Sequence, residues 1–138
     1  MLETLKKLQQ DFELIESERD RYEFLIEIGK ELPIFPERLK TDENRVPGCI
    51  SGVFVHVEKH DNKIRVQGIS HSLIVKGYVK ILLDALNELT SREIIDAEPI
   101  IKDFIAKSGV SESLVATRAN AFGNIYQTIK EKVKALSH

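Results

Sequence analysis

The chain is poor in the residues that build disulfide scaffolds, since its 138 residues include a single cysteine. One thiol excludes an internal disulfide, so we expect a reducing, cytoplasmic setting. No apolar run approaches the ~18 residues that a membrane helix needs, and the N-terminus lacks the apolar core of a signal peptide. The 20 basic and 22 acidic residues are interleaved, which disfavours nucleic acid as a partner. The length of the chain predicts a single domain spanning residues 1–138.

The one cysteine, Cys49, follows a Pro-Gly turn signal and precedes a predicted strand. Pro47 fixes its own φ, and Gly48 reaches backbone conformations closed to other residues, so Cys49 is predicted to project from a loop tip. Two interpretations remain open at this point. A lone cysteine is commonly a small buried hydrophobe, whereas reactive cysteines occupy partly exposed positions such as this turn.

The histidines do not add a metal site to this cysteine. His56, His60, His71 and His138 do not combine with Cys49 into the spacing of a metal-ligand set, so no metal is predicted. His56 and His60 are expected on a strand surface and in a turn.

Hydrophobic periodicity predicts an α+β fold, with a small antiparallel sheet covered by helices. Alternating residues on either side of His60-Asp61-Asn62 predict a hairpin, and a third strand is possible because two strands alone are only marginally stable. The predicted long helices span 2–15, 20–30, 70 or 72 to 89, and 122–136, and a short helix is capped by Thr90 and Glu93. The predicted strand spans 51–58, and the chain returns through Ile64 and Val66. A short turn is expected after Pro36, and Pro99 and Gly109 are expected to break the structure beyond the short helix.

Four separated segments together resemble the SufE family. Each alone is weakly specific, but they occur in the family's order and spacing and cover nearly the whole chain. They are residues 22–33, a helix ending in Gly and Leu-Pro; 44–53, with the pattern V-x-G-C-x-S-x-V; 68–77, like S-D-x-x-I-V-K-G; and 117–122, like the helix start S/T-R-x-N/Q-G-L.

The resemblance implies a SufE/NifU-like fold and a role as sulfur acceptor and activator of a cysteine desulfurase in iron–sulfur cluster assembly. The implied partner is a pyridoxal-phosphate enzyme of the SufS/CsdA type, and a downstream iron–sulfur scaffold would take the sulfur. No cofactor is implied in this chain, which would act as an accessory protein with a persulfide-forming cysteine rather than as a free-standing enzyme.

The resemblance also implies a site built around Cys49 as the residue that carries sulfur. An arginine near a helix start, as Arg118 is predicted to be, is poorly placed for the helix dipole, so a bonding role is favoured. The residues expected to support the loop or to bind the partner are Arg45, Val46, Pro47, Gly48, Ile50, Ser51, Ser70, His71 and Arg118.

Three positions depart from the family pattern. His71 stands where the family usually has Asp, Gly52 where it often has Gln, and Ala121 where it often has Gly. None of them removes Cys49 or Arg118, so the departures bear on the choice of partner more than on the reaction. An acid at position 71 would hold the loop or cap the next helix, which a histidine does less well.

Two other functions are weighed against sulfur transfer. The first is a regulatory module that docks on a desulfurase with an inert Cys49. The second is a thiol-based redox sensor, which is disfavoured because no second cysteine is present to resolve a sulfenic acid.

Overall fold

The computed structural model describes residues 2–48, 52–109 and 121–136. These ranges hold six α-helices and a two-stranded sheet, which agrees with the predicted α+β class. No helix within them has the length and apolar character needed to cross a bilayer. The helices are α1 (Leu2–Glu13), α2 (Glu18–Gly29), α3 (Leu73–Leu86), α4 (Ser91–Asp96), α5 (Glu98–Ser108) and α6 (Ala121–Leu136), and two 3₁₀ turns span Glu37–Leu39 and Asp42–Asn44.

The sheet is an antiparallel hairpin. Its strands are β1 (Phe54–His60) and β2 (Lys63–Ile69), with Phe54 opposite Ile69 at one end and His60 opposite Lys63 at the other. Asp61 makes the turn with a φ of 58°, a left-handed conformation that Asp tolerates because its short side chain can bond locally. The predicted hairpin is therefore confirmed. The strand begins at Phe54, and the predicted start at Ser51 lies outside the described residues.

In the described part of the chain no third strand pairs with β2, because its outer edge is satisfied in another way. The Asn87 side chain accepts a hydrogen bond from the Val66 N–H at 2.7 Å and donates one to the Val66 carbonyl oxygen at 3.2 Å. On the same edge, Ile64 donates to the Leu89 carbonyl and accepts from the Glu88 N–H. An amide side chain thus imitates strand pairing, and the edge is bonded without another strand.

Helix α3 forms the centre of the core and is buried on most sides, although its spacing predicted one buried face. Val75 and Val79, which lie off that face, are fully buried. Where α3 crosses α2, the two backbones touch. A methyl group added at Gly77 would collide with the Leu25 carbonyl oxygen, and one added at Gly29 would lie 2.8 Å from the Gly77 nitrogen. The helices can approach this closely only because both positions lack a side chain.

Helix α5 is an element that the sequence-based prediction missed. Pro99 lies in its first turn and Gly109 follows its last residue, with a φ of 78°. Proline suits a helix start, where its missing N–H is not needed, and glycine suits the left-handed residue after a helix end. The two residues that were expected to break structure therefore mark the ends of one helix.

The short helix α4 has the predicted capping box. The Thr90 hydroxyl accepts a hydrogen bond from the Glu93 N–H at 3.2 Å, and the Glu93 carboxylate accepts one from the Thr90 N–H at 2.9 Å. The Tyr126 hydroxyl of α6 donates to the Ile94 carbonyl at 2.7 Å and thereby ties α4 to α6. Burial raises the pKa of Tyr126 to about 12.

Glu98, the first residue of α5, interacts through its carboxylate with three side-chain donors. Its carboxylate oxygens lie 2.7 Å from Lys130 Nζ, 2.9 Å from Gln127 Nε2 and 3.3 Å from Lys102 Nζ. These hydrogen bonds, with that of Lys130 the strongest, lower the pKa of Glu98 to about 2. The cluster joins the start of α5 to α6, the helix that also contacts the candidate site.

The low pKa of Glu98 predicts an acid-dependent loss of stability. Its carboxyl has a reference pKa of 4.5 and a folded-state pKa of about 2, so its contribution is complete above pH 4.5 and disappears as the pH falls toward 2. Glu98→Gln should therefore be less stable than the parent at pH 6, with a gap that closes between pH 4.5 and pH 2. Urea unfolding at a series of pH values measures this gap, and a gap that stays constant over that interval would contradict the prediction.

Candidate functional site: the Cys49 loop

The Cys49 loop, defined as residues 46–53, has a base closed by backbone pairing. The Val46 N–H donates to the Val53 carbonyl oxygen at 2.8 Å, and Arg45 and Phe54 form the adjoining bridge. Val46 and Val53 are both buried, and the Arg45 guanidinium carbon lies 5.0 Å from the centre of the Phe54 ring. Because both ends of the loop are bonded to each other and to the core, its base is fixed.

A glycine in the left-handed conformation stands on each side of the cysteine. Gly48 has a φ of 78° and Gly52 a φ of 64°, values that are costly for residues with a side chain. Gly48 and its neighbour Pro47 are exposed. The chain between the two glycines is Cys49, Ile50 and Ser51, which lie outside the described residues.

His71 packs directly against the second glycine. A methyl group at Gly52 would lie 2.6 Å from His71 Cδ2, so the imidazole occupies the space that a side chain at position 52 would need. His71 does not cap the following helix, because the Ser72 hydroxyl accepts from the Val75 N–H at 3.3 Å. The buried Ser70 accepts through its hydroxyl from the Ser72 N–H at 3.1 Å and so fixes the turn that carries His71.

The structure brings together six of the residues predicted for the site. Arg45 and Val46 form the loop base, Pro47 and Gly48 continue from it, and Ser70 and His71 lie against its far side. Cys49, Ile50, Ser51 and Arg118 were also predicted for the site, and they lie outside the described residues.

An exposed apolar surface adjoins this cluster. Leu73, in the first turn of α3 and two residues after His71, is 57% exposed, and Pro47, within the loop itself, is also exposed. The N-terminal end of α3 carries the partial positive charge of a helix start. Exposed apolar side chains are therefore present in the loop and close to the residue that packs against Gly52, an arrangement that suits contact with another protein.

Sequence reasoning missed two residues of α6, one near Gly48 and one bonded to the segment that leads into the loop. Asn124 Nδ2 lies 3.5 Å from the position of a methyl group at Gly48. Lys132 Nζ lies 3.0 Å from the Glu43 carbonyl oxygen and 3.1 Å from Asn44 Oδ1. Asn44 itself is buried, which is unusual for an amide in a polar run. No local signal reveals these contacts, because the partners lie far apart in the chain.

The fold and the loop define a small α+β protein whose single cysteine is carried between two glycines on a fixed base. The model of the SufE family, described as an Fe–S metabolism associated domain, matches residues 6–133. The chain therefore belongs to the SufE family, a family associated with iron–sulfur metabolism, and the resemblance predicted from four motifs is confirmed.

Individual proteins show the same likeness. An uncharacterized SufE-like protein of Synechocystis sp. is 37% identical over 131 residues, which cover 95% of this chain and 80% of that protein. The cysteine desulfuration protein SufE of Wigglesworthia glossinidia brevipalpis is 28% identical over 135 residues, which cover 96% of this chain and 92% of that protein.

A solved structure shows the likeness of fold. The solution structure of a hypothetical protein from Thermus thermophilus matches with a TM-score of 0.76 and 19% identity over 96% of this chain and 95% of that chain. The predicted fold class is thereby confirmed.

The contact between Gly52 and His71 predicts that these two departures from the family pattern depend on each other. Gly52→Gln should lower the free energy of unfolding by about 1–3 kcal/mol, because a side chain must adopt a left-handed φ and displace the imidazole. Adding His71→Asp should recover about 1 kcal/mol, since residues in contact couple by this amount. Urea unfolding of the two single variants and the double variant measures the coupling.

The other left-handed glycine supplies the control. Gly48 has a similar φ of 78°, but among the described residues a side chain there would meet only Asn124, at an ordinary contact distance. The effects of Gly48→Gln and His71→Asp should therefore add. Equal coupling of His71 to both glycines would show that the ring contact is not the cause.

Proposed function

We propose that the protein is a sulfur acceptor and activator of a cysteine desulfurase and that it carries persulfide sulfur on Cys49 for iron–sulfur cluster assembly. Membership of the SufE family and the name of the Wigglesworthia relative, a cysteine desulfuration protein, support the reaction class. The observation that carries the assignment to one residue is the loop itself. Its fixed base and two left-handed glycines bracket the only cysteine of the chain.

The proposed transfer balances without an added oxidant or reductant. The desulfurase carries the sulfur as a persulfide on its own cysteine. The Cys49 thiolate attacks the outer sulfur of that persulfide, a sulfur–sulfur bond forms at Cys49, and the bond within the donor breaks. The donor cysteine leaves as a thiolate and Cys49 becomes the persulfide. A thiol or an iron–sulfur scaffold then takes the sulfur in a second displacement of the same kind.

The loop geometry suits such a displacement because the reacting thiol must enter a site on another protein. Gly48 and Gly52 adopt left-handed backbone angles that are unfavourable for other residues, so these two turns of the chain cost little conformational free energy. The buried valines and the hydrogen bond between Val46 and Val53 keep the base in place while the tip is presented. Proper placement of reacting groups is a large part of catalysis between proteins.

The partner in this proposal is a pyridoxal-phosphate desulfurase of the SufS/CsdA type. Its cofactor releases sulfur from free cysteine, so this chain needs none of its own. The exposed Pro47 and Leu73 offer apolar contacts to the partner. The absence of a second cysteine keeps the persulfide from collapsing into an internal disulfide, and a reducing cytoplasm is the setting that suits this thiol.

Mass analysis of Cys49 tests the proposal. The protein is incubated with a cysteine desulfurase and free cysteine, alkylated, digested and weighed. We expect the peptide containing Cys49 to gain one sulfur atom, and to gain none when either the desulfurase or cysteine is omitted. An unmodified peptide together with stable docking would favour the regulatory module, and added oxygen in place of sulfur would favour the redox sensor. Either of these outcomes would overturn the proposal.

A further inference from the structure

We infer that Lys132 of α6 is a positioning residue that holds the chain leading into the Cys49 loop, an inference that rests on the proposed function. Its Nζ donates to the Glu43 carbonyl oxygen at 3.0 Å and to Asn44 Oδ1 at 3.1 Å. Both acceptors belong to the 3₁₀ turn Asp42–Asn44, a few residues before Cys49. Lys132 therefore bonds to the approach segment, defined as residues 41–48.

Asn44 extends this contact into the protein. Only 7% of Asn44 is exposed, and its Nδ2 donates to the Leu39 carbonyl oxygen at 2.9 Å. The amide therefore uses its oxygen for Lys132 and its nitrogen for Leu39, and a buried amide left with one unpaired end would be costly. Through this single side chain, Lys132 connects α6 to both 3₁₀ turns.

The ammonium group of Lys132 is used for these bonds rather than for an ion pair. Both of its hydrogen-bond acceptors in the described chain are neutral oxygens. Burial lowers the pKa of Lys132, and the nearby Glu43 carboxylate offsets this only in part. A partly buried cation that bonds two oxygens of the approach segment is a strong donor, since charge-assisted hydrogen bonds exceed neutral ones in strength.

The dimensions indicate that the approach segment runs along α6. Lys132 contacts it at Asn44, and Asn124, eight residues earlier on α6, lies near Gly48. Eight residues of helix measure about 12 Å. The four residues from Asn44 to Gly48 span about 13 Å when extended. The segment therefore has the length needed to lie antiparallel to the helix, fixed at one end by Lys132 and ending at the first glycine beside the cysteine.

These contacts hold the approach segment as far as Val46, so the first turn of the loop falls at Pro47 and Gly48. Arg45 is stacked on Phe54 and the Val46 N–H is bonded to Val53, so the segment is held at successive residues once Asn44 is in place. Without Lys132 the approach segment would lose its attachment at Glu43 and Asn44. The desulfurase would then have to order these residues when the two proteins dock, which would cost binding free energy. The expected consequence is weaker docking with unchanged chemistry in the bound complex.

Lys132→Met tests this, because methionine keeps most of the length of the side chain and removes the donor. In the free protein, amide hydrogen exchange over residues 41–48 should become about fivefold faster, the effect of losing one such hydrogen bond on local opening. In the desulfurase assay, the concentration for half-maximal stimulation should rise about fivefold while the maximal rate stays the same. Lys132→Arg, which keeps a donor, should stay closer to the parent in both measurements.

Lys130→Met is the matched control. Lys130 lies on the same helix but bonds to Glu98 on α5. This variant should lower Tm without changing exchange at residues 41–48 or the half-maximal concentration. Equal effects from Lys130→Met, or unchanged exchange or docking in Lys132→Met, would overturn the inference. The proposed function fails separately, when Cys49 of the parent protein gains no sulfur, because the exchange measurement needs no desulfurase.

Discussion

Cys49→Ser is expected to bring the turnover of the desulfurase down to the level of the desulfurase alone, while the variant stays folded and still docks. A serine hydroxyl is close to a thiol in size, but it stays protonated at neutral pH, whereas the thiolate is the nucleophile in sulfur exchange. The loop base and the two glycines are unchanged by the substitution. Sulfide release in the presence of cysteine measures the effect.

Docking must be measured beside turnover, since a loss of binding would also remove the stimulation. The variant should compete with the parent protein for the desulfurase, with a half-maximal concentration near that of the parent. A double variant, Cys49→Ser with Ser51→Cys, keeps one thiol but moves it two positions along the loop, and should remain unstimulating because the reacting atoms must meet within ångströms. Stimulation by Cys49→Ser equal to that of the parent would end the acceptor hypothesis.

The turn that opens the loop and the strand after it were predictable from the sequence because their signals are local. Pro47-Gly48 indicates a turn by its own conformational preferences, and alternating valines indicate the strand that follows. The capping box at Thr90 and Glu93 was likewise visible as a spacing of three residues, and the structure has it. Such features depend on residues within one turn of each other, so the linear order of the chain contains them.

Features that depend on tertiary contact were not predictable. Lys132 and Asn44 are 88 positions apart, and neither has a sequence context that points to the other. The side chain of Asn87 pairs with Val66 across 21 positions and takes the place of the third strand that was considered possible. A polar residue in a turn is expected to face solvent, so only the fold reveals which amides are used inside it.

One such contact explains two of the three departures from the family pattern, those at Gly52 and His71. Position 52 and position 71 look like separate substitutions in the sequence, but the His71 ring lies against Gly52. A larger residue at one position is accommodated by the smallest residue at the other. Ala121 is buried at the start of α6, and nothing in the described residues explains its departure.

The glycines of two family-like segments have a structural role. Gly29, in the segment 22–33, and Gly77, in the segment 68–77, lie at the same crossing of α2 and α3. Their place in the family pattern is therefore explained by helix packing rather than by the surface that meets a partner. Replacing one of them should affect stability first, and function only through the loss of folded protein.

Gly77→Ala is expected to be strongly destabilising. Alanine favours a helix over glycine by about 0.8–1 kcal/mol, but the added methyl group would collide with the Leu25 carbonyl oxygen, which is backbone and cannot rotate away. Separating two packed helices outweighs the helix preference, so we expect the free energy of unfolding to fall by about 2–4 kcal/mol and Tm to fall by roughly 10 °C.

Gly123→Ala is the control that measures the helix preference of alanine without the backbone collision. It makes the same substitution in a helix at a position where no described residue lies close. At Gly123 in α6 the nearest atom of the described residues to an added methyl group is Ile105 Cδ1 at 3.8 Å, an ordinary van der Waals distance. This variant should gain about 0.5–1 kcal/mol from the better helix former. Urea unfolding of both variants gives opposite signs if the backbone contact between α2 and α3 decides the outcome at Gly77. A stabilising Gly77→Ala would mean that the two helices separate at little cost, so that close packing at this crossing does not require a glycine.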